Sequence, residues 1–391
     1  MMDALDEKYT GSLADVFQAA RNVTSRYPQK YYRDLDRSGE YPHEFIKEAM
    51  QAGLGAIMVP AEYGGMGLGV REASVVVEEI HRSGGTGSML HGQMFMMGIL
   101  ARHGSEDQKQ KVLPLVASGE VRLQSFSVTE PTAGTDTSKI LTKARRGGKG
   151  WIIRGQKVWT SRAAHTDLMI VLARTSEPTD PKKPFQGLSC FLVDLREVDR
   201  SQITMKQIEV IFNHHTYEVF YDDLEIPEDA LIGEEGKGFK YLLDGLNAER
   251  ILITSECIGD AKWFVETAVN YSKERVIFGR PIGQNQGVQF PIARGYANMR
   301  AADALRWKAA EMFDRHENSG AEANMAKMLA SEASWELGNV CVQTHGGFGL
   351  AVEYDIERKL RETRVFQVAP ISTNMVLNYI GQHVLGMPRS Y

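Results

Sequence analysis

At 391 residues the chain is long enough for two or three domains around a large core, and 43% hydrophobic against 24% charged residues argues against extensive disorder. Its 45 Lys+Arg and 50 Asp+Glu give a formal charge of -5 with no long block of either sign, which argues against a phosphate-neutralising groove and against nucleic acid as a partner. The N-terminus, MMDALDEKYT, is polar and acidic, and no run of about 18 uninterrupted apolar residues occurs, so a cytoplasmic protein without a membrane span is expected.

From about Asp15 to Val116, apolar residues recur three and four apart, as in FIKEAMQAGL and REASVVVEEIHRSG. That spacing predicts an all-α segment, broken by turns at 60–69 and 84–87. Within it Met94, Phe95, Met96 and Met97 read as core before they read as the lining of an apolar pocket. Between about Leu123 and Ile232 the period shortens to strands in WIIRGQKVWTS, LMIVLART, LSCFLVDL and TYEVFYDDLEI. After Gly236 long helical patterns return and persist to the end, interrupted near FGRPIG, near HENSGAE and at 346–349. The order is α, β, α, with domains expected at 1–123, 124–235 and 236–391. Cys190, Cys257 and Cys341 lie far apart in apolar surroundings, which fits reduced core thiols rather than a metal site or a disulfide framework.

Three short stretches stand out chemically. SVTEPTAGTD at 127–136 puts hydroxyls, acids and a glycine on one loop, either to present donors to a ligand or simply as an Asx/Thr turn between domains. KVWTS at 157–161 places Trp159 and two hydroxyls at a strand end, where the indole can stack on a flat ligand or pack in the core. QTHGGFG at 343–349 allows close backbone approach through its three glycines, or serves as a helix C-cap. A fourth stretch, LNAERILI at 246–253, carries Glu249 and Arg250 side by side on an apolar helix. Adjacent helical residues point about 100° apart, so each needs its own partner.

Taken in order, FSVTEPTAGTD, KVWTSRAAHTDLMIVLART, ERVIFGRPIGQNQGVQF and QTHGGFGLAVEYDIERKLRE resemble the signatures of the acyl-CoA dehydrogenase family over nearly the whole chain. One departure is Lys139, where a small residue is usual. The resemblance implies an α+β fold with a helical N-terminal domain, a β-barrel-like middle domain and a C-terminal four-helix bundle. It also implies FAD, an acyl-CoA substrate, electron-transfer flavoprotein as acceptor, and a homotetramer. Phe126, Val128 and Thr129 then match positions lining the isoalloxazine, Gly134 and Thr135 the loop beside flavin and thioester, Trp159 a stacking plane, and Ser161 the hydroxyl at flavin N5. Arg275, Phe278 and Gln289, with Gln343, Gly346 and Gly347, match segments reaching the FAD of a neighbouring subunit. Ser372 and Asn374 match the pair closing over the pyrophosphate.

Family chemistry needs a carboxylate to take the α-proton while the β-hydride passes to flavin. Most members carry that acid in a loop that here reads Ala369-Pro370-Ile371-Ser372, without one. The subgroup typified by isovaleryl-CoA dehydrogenase places the base on the helix before ERVIFG, and Glu249 falls at that position. Arg250 matches the neighbouring arginine that holds the helix and the CoA end of the pocket. Pro370 removes a backbone N–H that commonly holds the thioester oxygen, so Ile371 N–H on a shifted loop is the expected substitute. A flavin oxidase or monooxygenase on the same fold, and a non-catalytic flavin-binding relative, remain as alternatives.

Overall fold

The structure, a computed structural model, describes residues 9–148 and 150–390. Six helices open the chain: α1 (Ser12–Thr24), α2 (Gln29–Ser38), α3 (His43–Gln51), α4 (Val70–Arg82), α5 (Ser88–His103) and α6 (Glu106–Ala117). α6 starts on a capping box, Ser105 Oγ accepting from Gln108 N at 3.1 Å while Gln108 Oε1 accepts from Ser105 N at 2.9 Å. α5 is buried nearly all round, and Met94, Phe95, Met96 and Met97 are all core residues.

The middle of the chain forms β1 (Leu123–Ser127), β2 (Lys143–Gly147), β3 (Gly150–Ser161), β4 (Leu168–Arg174), β5 (Leu188–Asp194), β6 (Ile203–Ile208), β7 (Thr216–Pro227) and β8 (Leu231–Ile232). Their order is β6-β7-β3-β2-β4-β5-β8, with β1 paired parallel to β4. β4 is buried along its whole length because its two faces serve different cores. Leu168, Ile170 and Leu172 pack with the N-terminal helices, while Met169, Val171 and Ala173 pack with Trp151, Phe191 and Tyr221 inside the sheet domain. The period of two thus welds the sheet to the helices, and an uninterrupted apolar run in sequence is its signature.

The remainder is helical. α7 (Gly238–Glu274) runs 37 residues, followed by the small hairpin β9 (Val276–Ile277) and β10 (Arg280–Pro281), then α8 (Gln286–Asp314) and α9 (Gly320–His345). Two short helices, α10 (Ile356–Thr363) and α11 (Thr373–Tyr379), complete the bundle against α9. α7 spans both helical regions: its first half joins the N-terminal core and its second half the core of the bundle. Buried charges fix the crossing, with Glu78 of α4 accepting from Lys262 of α7 at 2.5 Å and from Arg306 of α8 at 2.6 Å. Cys190, Cys257 and Cys341 are free and buried. Among the described residues no helix is long and apolar enough to cross a membrane.

Candidate active site

The end of β3 supplies the first wall. Its register against β7 shifts between Lys157 and Thr160, and Trp159 leaves the ladder at φ 60°, 55% exposed. A tryptophan in the left-handed region costs about 1–3 kcal/mol, and here no core packing offsets it. Ser161 follows, with Oγ 2.8 Å from His214 Nε2. Arg162, at φ 61°, then turns its side chain into the interface between sheet and helices, where it is buried. Two strained non-glycine residues flank the hydroxyls of Thr160 and Ser161, the kind of corner that folded proteins retain at working sites.

The loop after β1 forms a second wall. Phe126 is half-buried against the edge of Phe95, ring centroids 5.6 Å apart, and Thr129 O accepts from Val158 N at 2.9 Å. The acid of this loop is structural: Glu130 accepts from Leu141 N at 2.7 Å, Thr142 N at 2.9 Å and Lys157 Nζ at 3.0 Å. Lys157 also donates to Val128 O at 2.8 Å. Burial pulls the Lys157 ammonium down to about 8 against the opposing pull of Glu130. With its base anchored this way, the loop carries Val128 and Thr129 half-buried and Gly134 and Thr135 exposed.

Glu249 comes from α7, and it does not pair with Arg250. Arg250 Nη1 donates to Asn247 Oδ1 at 2.8 Å on the same helix. Glu249 is 9% exposed, and its Oε2 is buried without a hydrogen-bond partner. Burial raises its pKa above the ordinary carboxylate range, while the charges of His91, Arg250, Arg162 and Lys327 pull the other way. Glu249 faces a cavity of about 140 Å³ that is also lined by His91, Ser161, Arg162, His214 and Pro370. Burial, and then the Arg162 charge, lower His214 to about 3, so its imidazole is neutral.

The loop 369–372 closes the cavity without an acid. Ile371 is tied back by its carbonyl, which accepts from the buried Lys327 Nζ of α9 at 2.7 Å. Burial lowers Lys327 to about 8. Behind the cavity, His91 Nδ1 lies 2.7 Å from Glu256 Oε1, His81 Nδ1 lies 2.9 Å from Asp260 Oδ1, and Lys359 Nζ lies 2.5 Å from the same oxygen. Although burial opposes it, these carboxylates raise His81 to about 9. The cavity wall therefore rests on a compensated set of charges.

The structure brings Glu249 and Ser161 onto this one cavity and leaves other expected site residues elsewhere. Arg275, the fully exposed Phe278 and Gln289 lie on the β9–β10 hairpin and the first turn of α8. Gln343, Gly346 and Gly347 sit exposed at the end of α9, with open space where a Cβ would stand on either glycine. Ser372 caps α11, its Oγ accepting from Met375 N at 3.4 Å, and Asn374 is exposed. A larger cleft of about 1030 Å³ lies beside Phe95, Gly98, Asp244, Ala248 and Asp314, but Glu249 does not line it. Arg162, His91, His214 and Lys327 escape sequence reasoning; only Arg162 adjoins a stretch with a chemical signal.

Comparison with known proteins agrees with this geometry. The N-terminal, middle and C-terminal domains of acyl-CoA dehydrogenase match residues 12–120, 125–224 and 236–385 in turn. Acyl-CoA dehydrogenase fadE12 of Mycobacterium bovis is 36% identical over 378 residues, 96% of either chain. The chain belongs to the acyl-CoA dehydrogenase family. Caffeyl-CoA reductase-Etf complex subunit CarC of Acetobacterium woodii is 32% identical over 337 residues, 86% of this chain and 88% of its own. Butyryl-CoA dehydrogenase from Megasphaera elsdenii superposes with a TM-score of 0.90 at 28% identity, over 97% of this chain and 100% of that one. As an acyl-CoA dehydrogenase the protein is an FAD-dependent oxidoreductase of the three-domain fold. Its residues fit that cofactor: an unpacked indole at a strained position, a hydroxyl two residues on, and a glycine pair open to close approach.

Proposed function

We propose that the protein removes the α-proton and β-hydride of an acyl-CoA thioester, with Glu249 as the base. The observation that carries the reading is a buried carboxylate, without a hydrogen-bond partner on Oε2, facing the cavity that Ser161 and Pro370 also line. Desolvation raises its basicity, and the acid-free loop at 369–372 offers no competing carboxylate. FAD, when bound, supplies the hydride acceptor.

The chain's own residues then divide the remaining work. Phe126, Val128, Thr129 and Trp159 bound the flat ring, Ser161 offers a hydroxyl to its reacting edge, and Gly134 and Thr135 lie toward the thioester. Arg250, held by Asn247, braces α7 beside the base. Lys327 fixes the Ile371 carbonyl and with it the path of the loop past Pro370, which leaves Ile371 N–H as the candidate donor to the thioester oxygen. Arg275, Phe278 and Gln289, together with Gln343, Gly346 and Gly347, are assigned to the FAD of a neighbouring subunit in a homotetramer. The exposed Val276, Ile277, Phe278 and Phe290 support such burial by another copy. Ser372 and Asn374 are assigned to the pyrophosphate. Electron-transfer flavoprotein is the proposed acceptor, on the likeness to an Etf-linked reductase subunit.

The test is a panel of acyl-CoA thioesters added to the yellow holoenzyme while flavin bleaching is followed. Wild type should bleach with at least one thioester, and Glu249→Gln should bind the same thioester without bleaching. Native-rate bleaching in Glu249→Gln removes that residue from the mechanism. Rapid reoxidation by air rather than by electron-transfer flavoprotein marks an oxidase instead.

A further inference from the structure

Arg162 is a buried charge without a counter-ion. It is 7% exposed, its Nε donates to Gln124 O at 3.0 Å, and among the described residues no carboxylate lies within ion-pair distance of it. The other charges around the cavity are balanced. Glu362 is paired with Arg358 at 2.9 Å, Glu256 holds His91 at 2.7 Å, and Asp260 holds Lys359 at 2.5 Å. Glu249 and Glu256 act on the guanidinium only at longer range, and neither makes an ion pair with it. An arginine keeps its charge even where burial pulls its pKa down, as it does here. Burying one charge unpaired costs several kcal/mol, so the fold carries a defect that a bound anion would relieve.

The surroundings make room for that guanidinium on purpose. α5 passes it with Gly92, where a Cβ would stand 2.8 Å from Arg162 Nη2. A glycine inside a helix is less favourable than alanine, and here the space gained admits the arginine head. The head reaches the cavity that also holds Glu249, in company with Ser88 and Thr86 hydroxyls and the neutral His214 imidazole. The cavity wall is divided: Ile253, Val365 and Phe366 give it an apolar side, and Arg162, Ser88, Thr86 and His214 a polar end, a pairing that suits a short apolar chain ending in a polar group.

We propose that Arg162 is a specificity-determining residue that receives a carboxylate at the far end of a short acyl group, so that the substrates are dicarboxylyl monothioesters of CoA. The proposal rests on the dehydrogenase reading above and narrows it. Arg offers a planar fork matched to a carboxylate, and Ser88 and Thr86 line the same cavity beside it. The substrate is then held at two points, its α-carbon toward Glu249 and its carboxylate at Arg162.

The experiment compares isosteric pairs: succinyl-CoA against 4-methylpentanoyl-CoA, and glutaryl-CoA against 5-methylhexanoyl-CoA. Binding is read by calorimetry on the Glu249→Gln holoenzyme, and flavin bleaching on wild type. The carboxylate member of at least one pair should bind roughly ten- to a hundredfold tighter, the range of a charge-assisted hydrogen bond. Adding Arg162→Met should collapse that ratio toward one, and Arg162→Lys should recover part of it. Equal or tighter binding of the uncharged members, with bleaching by them, overturns this inference and leaves the dehydrogenase reading standing. An unchanged ratio in Arg162→Met, or loss of FAD as its main effect, assigns the guanidinium elsewhere and also overturns it. If Arg162→Met does not fold, the wild-type ratio and Arg162→Lys decide. Absence of bleaching with every thioester refutes both readings together.

Discussion

Glu249→Gln should stabilise the protein while disabling it, and the gain should depend on pH. The glutamine keeps the shape of the side chain and cannot ionise. In the folded protein burial raises the pKa of Glu249, so between the ordinary carboxylate value and the raised one the folded state binds more protons than the unfolded state. Stability therefore falls as pH climbs through that window. The penalty is absent below the ordinary value and complete above the raised one. A buried polar group lacking a partner costs about 1–3 kcal/mol. At about 2.1 cal/mol/K per residue, a chain of this length unfolds with ~0.8 kcal/mol/K, so that penalty corresponds to ~1–4 °C in Tm. Scanning calorimetry of wild-type and Glu249→Gln holoenzyme across pH 5 to about 8.5 should show the variant's advantage growing with pH. An advantage that shrinks with pH, or a variant less stable throughout, would show that Glu249 is a satisfied structural ion.

Trp159→Ala and Gly347→Glu should each purify with less FAD per chain, read from the flavin-to-protein absorbance ratio; full retention in both refutes the cofactor assignments. Lys157→Met leaves Glu130 buried beside an apolar group and should cost about 3–5 kcal/mol in denaturant unfolding, whereas Lys157→Met with Glu130→Leu should recover much of it. If the double variant is no better than the single, the pair is not the anchor of the 127–136 loop. Pro370→Ala should change kcat little, because Lys327 already fixes the path of the next residue; an increase of about 10²- to 10³-fold would show that an oxyanion donor was missing all along.

The fold was legible because its main signals are periodic and long. The three- and four-residue spacing of the N-terminal segment and the alternation along β7 each impose one buried face, and that face decides the element. β4 shows the limit of the method. LMIVLAR has no polar face to orient it, and only the structure reveals that alternate residues feed two different cores. Trp159 shows a second limit. Its exposure follows from a register shift of β3 against β7, which is a property of the pairing and leaves no mark on the strand's own pattern.

The site residues divide along the same line. Glu249 was visible because a carboxylate on an apolar helix violates the local pattern, and such violations are where function is found. Arg162 violates nothing in its own neighbourhood: an arginine after a strand ending in Thr160 and Ser161 reads as a solvated turn. What makes it unusual is a set of absences at long range. α5 supplies Gly92 where another residue would block the guanidinium, and the nearby acids either hold another partner, as Glu362, Glu256 and Asp260 do, or, as Glu249 does, act on it only at longer range. A missing counter-ion is a property of the folded arrangement and cannot be read from any window of the chain. Charge balance around a cavity therefore carries information about the ligand that motif matching does not. Here the motifs point to the cofactor and the chemistry, and the unpaired charge in the wall is the ground for the proposal that the acyl group ends in a carboxylate.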